Sequence, residues 1–201
     1  MKIGPKYKIA RRLGPAVFEK TQTAKFTLSE QKRKQTRFNR PRTNYAVQLL
    51  EKQRVKFSYG ITEKQLRKYI NEVIDSKSKT PADDLYAKLE KRFDTIILRS
   101  GFAKTRFQAR QAASHGHFNI DGKKVTIPSR QITEKNEIAL REAKKSSALY
   151  SEYKESFKEI SIPAWIKVEP KNLSAKLIGT PSYRQTELPF DLLAVIQFYK
   201  R

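Results

Sequence analysis

The chain has 201 residues, of which 38% are hydrophobic, enough for one large domain or two small ones with modest cores. It carries 43 Lys and Arg against 20 Asp and Glu, a formal net charge of +23, which favours nucleic acid or an anionic membrane face as its partner. With no Cys and only two His, disulfides, thiolate zinc sites and cysteine nucleophiles are excluded. We expect no metal and no cofactor.

The first 43 residues read as a basic arm. Residues 1–45 hold 13 basic and 2 acidic side chains. Such a segment has too few apolar residues to fold by itself, but it can become ordered along phosphates. We therefore predict an extended basic N-terminal arm over residues 1–43. A solvated tail or a Lys/Arg localisation signal is the plainer alternative.

Helical patterns follow the arm. Apolar residues recur at helical spacing between residues 46 and 57, and Gly60 follows as a stop. Thr62 and Gln65 form a capping box that opens a second helix. A further helical stripe runs over residues 81–101. The longest aliphatic run of the chain has only five residues, far fewer than the roughly 20 that a membrane-spanning helix needs.

The next stretch indicates a compact α+β module. Thr105 and Gln108 form a capping box for a helix over residues 106–114. Period-two alternation around Asp121-Gly122 is typical of a hairpin with a two-residue turn. Residues 138–142 give a further strand. The module is therefore predicted to hold two short helices followed by an antiparallel hairpin and more strands.

This module also carries cations suited to phosphate. Arg106 and Arg110 lie four residues apart, on one helix face, and the guanidinium fork binds phosphate in bidentate fashion. A solvated helix face is the alternative for the two arginines alone, but further cations at the hairpin favour a shared anionic target. The candidate RNA-binding side chains of the module are Lys104, Arg106, Arg110, Gln111, His115, Lys123 and Lys124.

Several short motifs of the module identify a family. They are Arg92-Phe93-Asp94, Arg99-Ser100-Gly101-Phe102-Ala103, Thr105-Arg106, Ala109-Arg110-Gln111, His115-Gly116-His117-Phe118 and Asp121-Gly122-Lys123-Lys124-Val125. Together they resemble the RNA-binding module of small-subunit ribosomal protein four, which also occurs in some RNA-modifying enzymes. The flanks extend the resemblance over almost the whole chain, through residues 45–53, Tyr59-Gly60, Glu63-Lys64-Gln65 and Ile162-Pro163-Ala164-Trp165.

The resemblance implies an α+β fold in three parts. A helical domain would cover residues 44–90 and be completed by 188–201. The RNA-binding module, two short helices packed on an antiparallel sheet, would be inserted as residues 91–187, and the basic arm would precede both. Many members of the family bind zinc through cysteines near their start, and this sequence resembles a zinc-free form.

The resemblance further implies a structural protein of the small ribosomal subunit that is not an enzyme. It would bind a helix junction in the 5′ domain of small-subunit rRNA, nucleate assembly, and affect decoding accuracy near the mRNA entry path. Its neighbours would be small-subunit proteins, chiefly the fifth, in a bacterial cytoplasmic ribosome or, as the alternative, an organellar one. No membrane partner and no homo-oligomer is expected.

Further RNA contacts are expected outside the module. The candidates are Arg11, Arg12, Arg33, Arg37 and Arg40 in the arm and Arg54, Lys56, Arg67 and Lys68 in the helical domain. The competing function is an RNA-modifying enzyme of the pseudouridine synthase type, because Arg92-Phe93-Asp94-Thr95 faintly resembles an Arg-Leu-Asp catalytic motif. Pairing of Asp94 with an arginine, or helix capping, is the plainer interpretation of that carboxylate.

Overall fold

The computed structural model describes residues 3–34, 43–151, 153 and 161–200. The chain divides into two compact units, the first made of residues 1–85 and 183–201 and the second of residues 86–182. Helices and an antiparallel sheet are both present, so the predicted α+β class is confirmed. Within the described residues, no helix combines the length and the apolar character that crossing a membrane requires.

The helices and strands are numbered in chain order. The helices are α1 (Lys6–Leu13), α2 (Ala24–Lys34), α3 (Asn44–Ser58), α4 (Glu63–Asp75), α5 (Pro81–Glu90), α6 (Phe93–Arg99), α7 (Arg106–Ser114), α8 (Glu142–Lys145), α9 (Ala148–Ser151) and α10 (Leu192–Tyr199). The strands are β1 (Phe118–Ile120), β2 (Lys123–Lys124), β3 (Glu137–Leu140), β4 (Ile166–Glu169) and β5 (Ser174–Leu177). Short 3-10 turns cover Pro15–Val17, Glu19–Thr21 and Gln185–Glu187.

The N-terminal segment is helical where the structure describes it, which corrects the predicted extended conformation. Helices α1 and α2 occupy most of residues 3–34. The apolar residues of this segment bury themselves against Leu50 of α3 and so gain the core that they lack by themselves. The Nε atom of Arg54 also donates to the carbonyl of Leu13, at 2.8 Å, and holds the end of α1 to α3.

The capping and turn residues in the sequence predicted the hairpin of helices α3 and α4 correctly. The hydroxyl of Thr43 accepts from the backbone N–H of Ala46 at the start of α3, and Thr62 accepts from Gln65 at the start of α4. Gly60 lies in the turn between them with a φ of 60°, a conformation that favours glycine. Helix α4 buries its apolar stripe as predicted.

The C-terminal segment forms α10 and packs on α3. Asp191 caps this helix, since its carboxylate accepts from the N–H groups of Leu193 and Ala194. The backbone N–H of Asp191 donates to the Glu51 carboxylate of α3 at 2.9 Å. The apolar end of the sequence is therefore tied to the middle of the first unit by both burial and hydrogen bonds.

The second unit is built on an antiparallel sheet of five strands in the order β2-β1-β3-β5-β4. Its core joins residues of α6 and α7 to residues of every strand except β2. Phe118 on β1 is fully buried, and its ring meets those of Phe93, Phe102 and Tyr150 at centroid distances of 5.4 to 6.4 Å. The predicted packing of two short helices on a sheet is confirmed.

The hairpin turn is as predicted, but the strand after it is shorter. Asp121 and Gly122 both have positive φ values, 51° and 77°, as a two-residue type I′ turn requires. Strand β2 then ends at Lys124. The chain leaves the sheet here because the carbonyls of Pro128 and Arg130 accept from the first two N–H groups of α6, at 3.0 and 2.9 Å.

Truncation of the central ring gives a test of this core. We expect Phe118→Ala to lower the free energy of unfolding of the second unit by about 3 to 5 kcal/mol. Trp165, the only tryptophan of the chain, packs against the same core, so its fluorescence in a denaturant titration measures the loss.

The matched control is Ile127→Ala, because that side chain is 59% exposed. It should change the free energy of unfolding by less than about 0.5 kcal/mol. Equal losses in the two variants would show that the core is not centred on Phe118.

Candidate nucleic-acid interface

Helix α7 is capped at its start by Thr105, as predicted, while Gln108 reaches back to the residue before the cap and not to the cap itself. The Thr105 hydroxyl accepts from the N–H of Gln108 at 3.2 Å, and the Gln108 side chain accepts from the N–H of Lys104 at 2.9 Å. The buried face of the helix consists of alanines, Ala109, Ala112 and Ala113. Small side chains there let α7 lie close to α6 and the sheet.

The opposite face of α7 is open to solvent. Lys104, Gln111 and His115 are exposed, as expected from the sequence for RNA-contacting side chains. Phe107 lies on the same face and is 71% exposed. Its place on this face was not predicted, because the residue was assigned to another part of the helix. The signal that could have placed it is its position three residues after Lys104 and four before Gln111.

The two arginines of α7 point elsewhere, toward α6. An Nη atom of Arg106 lies 3.4 Å from the Thr95 hydroxyl. Arg110 donates to the Asp94 carboxylate through Nε at 3.0 Å and Nη2 at 2.7 Å, and its side chain is only 30% exposed. Both arginines therefore lie beside the exposed face, and neither forms the freely solvated helix face that was the alternative.

Asp94 is the centre of a buried charge cluster. It is 6% exposed, and it also accepts from Arg92 through Nε at 2.9 Å and Nη2 at 2.8 Å. Two guanidinium groups thus surround one carboxylate, which leaves a net charge of one positive unit. This is the arginine pairing that the sequence favours over a catalytic role.

Lys124 of the hairpin approaches the far end of α7. Lys123 and Lys124 are exposed, and the stem of Lys124 lies across Gly116, where an added Cβ would collide with Lys124 Cε and come within 3.2 Å of Thr126 Cγ2. Gly116 also has a φ of 65°. Both the lack of space for a Cβ and this left-handed backbone conformation therefore favour glycine here. The close approach brings Lys124 beside the segment that carries His115.

More positive groups surround this end of the helix than the sequence predicts. Nδ1 of His117 lies 2.9 Å from the Tyr150 hydroxyl. Burial is the main cause that lowers the pKa of His117, and neighbouring cations lower it further. Those cations are Lys144 and Arg141. Burial also raises the pKa of Tyr150 to about 12, so its hydroxyl stays protonated.

In the first unit, two candidate residues are occupied by internal contacts. Arg54 holds the Leu13 carbonyl and the Glu51 carboxylate. Lys56 lies 3.3 Å from the Glu63 carboxylate, which also takes Lys52 at 3.0 Å. These cations tie α3 to α1 and α4, a role that spacing along the sequence does not indicate.

Glu63 gathers several partners from different helices. Besides the lysines of α3, its carboxylate accepts a short hydrogen bond from the Tyr199 hydroxyl of α10. Burial by itself would raise the pKa of Glu63, but Tyr199 and the lysines outweigh it, so that pKa is lowered. Burial and the Glu63 carboxylate together raise the pKa of Tyr199.

The remaining candidates of this unit are exposed. Arg12, Arg67 and Lys68 reach solvent, and Arg11 does so while its Nε lies 3.5 Å from Glu30. A cavity of about 550 Å³ lies between α1 and α3, and it places Arg12 and Lys8 beside a mostly apolar surface. Arg37 and Arg40 lie outside the described residues, as does the side chain of Arg33.

No metal site is apparent in the part of the chain that the structure describes. Among residues 3–34, 43–151, 153 and 161–200, no group of three or more His, Cys, Asp or Glu could hold an ion. The arrangement is instead one of exposed cations and polar groups around α7 and the hairpin, with the Asp94 carboxylate buried and that of Asp121 exposed at the hairpin turn. Such a surface can bind a chain of phosphates.

Comparison with known proteins gives matches over both parts of the chain. A family model described as the S4 domain matches residues 91–138, and one described as the ribosomal protein S4/S9 N-terminal domain matches residues 1–91. Together they cover α1 to α6 and the exposed face of α7 with its hairpin.

Three relatives of known family are between 36% and 39% identical to this chain. Small ribosomal subunit protein uS4 of Persephonella marina is 38% identical over 201 residues, 98% of this chain and 97% of that protein. The uS4 protein of Corynebacterium kroppenstedtii is 39% identical over 159 residues, which is 79% of each chain. The uS4 protein of a Sulfurihydrogenibium species is 36% identical over 201 residues, which is 98% of this chain and 97% of that protein. With this identity over nearly its whole length, the chain belongs to the uS4 family of small ribosomal subunit proteins.

Proposed function

We propose that this member of the family is a primary binder of small-subunit rRNA, which clamps a helix junction in the 5′ domain and nucleates assembly. The observation that carries the proposal is the exposed face of α7 and the hairpin, within the segment that matches the S4 domain. Lys104, His115, Lys123 and Lys124 are exposed there, and α7 contains no Asp or Glu. Phosphates meet cations on this face without a carboxylate from the helix to repel them.

Other groups would add to this binding in different ways. The half-buried Arg106 and Arg110 lie beside the exposed face, and the cluster around Asp94 keeps a net positive charge that attracts phosphate. In the first unit, Arg11, Arg12, Arg67 and Lys68 would contact RNA directly. Arg54 and Lys56 would act mainly by holding α3 in place, because their charged groups already have internal partners.

The location and the neighbours that we propose for the protein come from its family. The relatives are bacterial small-subunit proteins by name, so we propose a cytoplasmic bacterial ribosome as the site of action, with an organellar one as the alternative. By family resemblance, the protein would lie beside the fifth small-subunit protein near the mRNA entry path and affect decoding accuracy. Residues 1–43, 44–90 with 188–201, and 91–187 would be its functional parts.

The competing function, pseudouridine synthesis, finds little support in the module. A catalytic aspartate must reach the uridine that it attacks, whereas Asp94 is 6% exposed and accepts four hydrogen bonds from two arginines. Its carboxylate is committed to the fold of the module. We therefore propose a structural and not an enzymatic role.

Binding driven by phosphate contacts should depend steeply on salt. If about 6 to 10 phosphates are neutralised, the affinity for a 5′-domain rRNA transcript should fall about a thousandfold or more between 50 and 200 mM salt. Filter binding or fluorescence anisotropy over that range measures it. A flat response would contradict the phosphate mechanism.

The hairpin lysines and the half-buried Arg110 should behave differently on replacement. Replacing both hairpin lysines, Lys123→Ala with Lys124→Ala, should weaken rRNA binding and lower the log–log salt slope by roughly 0.7 to 0.9 for each phosphate that is no longer neutralised, with the melting temperature unchanged.

Arg110→Ala should weaken rRNA binding and also lower the free energy of unfolding of the second unit, by roughly 1 to 3 kcal/mol, because the buried Asp94 carboxylate loses a partner. Calorimetry beside the binding titration separates the two effects. If Arg110→Ala leaves the melting temperature unchanged, the Asp94 cluster does not support the module.

The enzyme alternative has a direct test. RNA transcribed with labelled uridine should contain no pseudouridine after incubation with the purified chain. Product that forms with wild-type protein and disappears with Asp94→Asn would establish the competing function. The melting temperature of the variant shows whether a loss of product reflects chemistry or unfolding.

A further inference from the structure

Phe107 is strongly exposed on helix α7. The second residue of α7 is 71% exposed, more than the other large hydrophobic side chains of the described residues. Burial of a Phe side chain stabilises a protein by about 1.5 to 3 kcal/mol, and Phe107 gains little of this within its own chain. A single exposed apolar residue is common on protein surfaces, so the meaning of this one depends on its neighbours.

The neighbours of Phe107 are polar or cationic. Helical spacing places Lys104 three residues before it and Gln111 four after it, on the same face, and His115 continues that face at the end of the helix. All three are exposed. The exposed surface of α7 is therefore one aromatic ring within a row of groups that suit phosphates and base edges.

We propose that Phe107 is a stacking platform for one unpaired base of the bound rRNA. This inference rests on the rRNA-binding function proposed above and assigns it a contact with a base in addition to phosphates. The ring would stack on the base, and the Gln111 amide, which can both donate and accept, would meet the base edge. Lys104 and His115 would take the flanking phosphates.

The setting favours a base over an apolar side chain of a protein partner. Protein-docking surfaces group several apolar residues into a patch, whereas Phe107 is the only large apolar residue on the exposed face of α7. The other strongly exposed apolar side chains of this unit, Ile127, Leu149 and Ile178, belong to other segments. Sites for single-stranded nucleic acid combine positive charge with aromatic rings on which bases stack, and Lys104 with Phe107 supplies both.

Replacement of Phe107 separates stacking from charge. With a 5′-domain rRNA transcript, Phe107→Ala should bind about 5- to 150-fold more weakly at a fixed salt concentration, the loss expected for one stacked base. The salt slope should match that of the wild type, since no phosphate contact is removed. The melting temperature should also be unchanged, because the side chain is exposed. Phe107→Trp should keep the affinity, and its added emission should be quenched by the RNA.

The matched control is Ile178→Ala, which truncates a side chain that is 61% exposed in the same unit and should bind as the wild type does. The platform is refuted if Phe107→Ala binds with wild-type affinity while the wild type shows its steep salt dependence, and in that case the proposed function stands. It is also refuted if the variant binds rRNA normally but fails to join small-subunit proteins, since the ring would then contact protein. Failure of the wild type itself to bind would overturn the proposed function and the platform together.

Discussion

The burial of one carboxylate, Asp94, determines how the second unit is assembled. Its two oxygens accept from Arg92 at the start of α6 and from Arg110 on α7. A buried carboxylate without partners would be strongly destabilising, whereas a doubly paired one is tolerated and fixes the geometry of the groups around it. Asp94 therefore ties α7 to the start of α6, beside the alanine face that packs α7 into the core.

The same use of carboxylates recurs in both units and explains how a chain with a charge of +23 can fold. Glu90 is fully buried against the Arg99 fork, and Glu63 joins lysines of α3 to Tyr199 of α10. Asp94, Glu90 and Glu63 thus neutralise selected cations within the fold. Surface pairs such as Lys176 with Glu137 neutralise a few more cations, but the excess of 43 basic over 20 acidic residues remains for an external polyanion to compensate.

The sequence predicted what local interactions determine. The helix N-caps at Thr62 and Thr105 and the turn at Asp121-Gly122 each depend on residues within four positions of one another, and all three were found. The helical state of residues 6–34 was missed because its core needs Leu50, and the pairing of Arg110 because its partner lies 16 positions earlier. Contacts between distant parts of the chain leave no periodic signal along it.

In the second unit, arginine and lysine have different roles for a chemical reason. The planar guanidinium fork matches a carboxylate in bidentate fashion, and Arg92 and Arg99 use it that way on Asp94 and Glu90. Arg110 instead directs two of its nitrogens at one oxygen of Asp94. Lysine is a compact, strongly hydrated charge on a flexible stem, and Lys123 and Lys124 stand at the exposed hairpin. Replacement of Lys123 or Lys124 by Arg would keep the positive charge that binds phosphate. Replacement of Arg110 by Lys would keep the charge but remove the guanidinium group that donates to Asp94. The hairpin positions therefore tolerate either basic residue, whereas position 110 requires Arg.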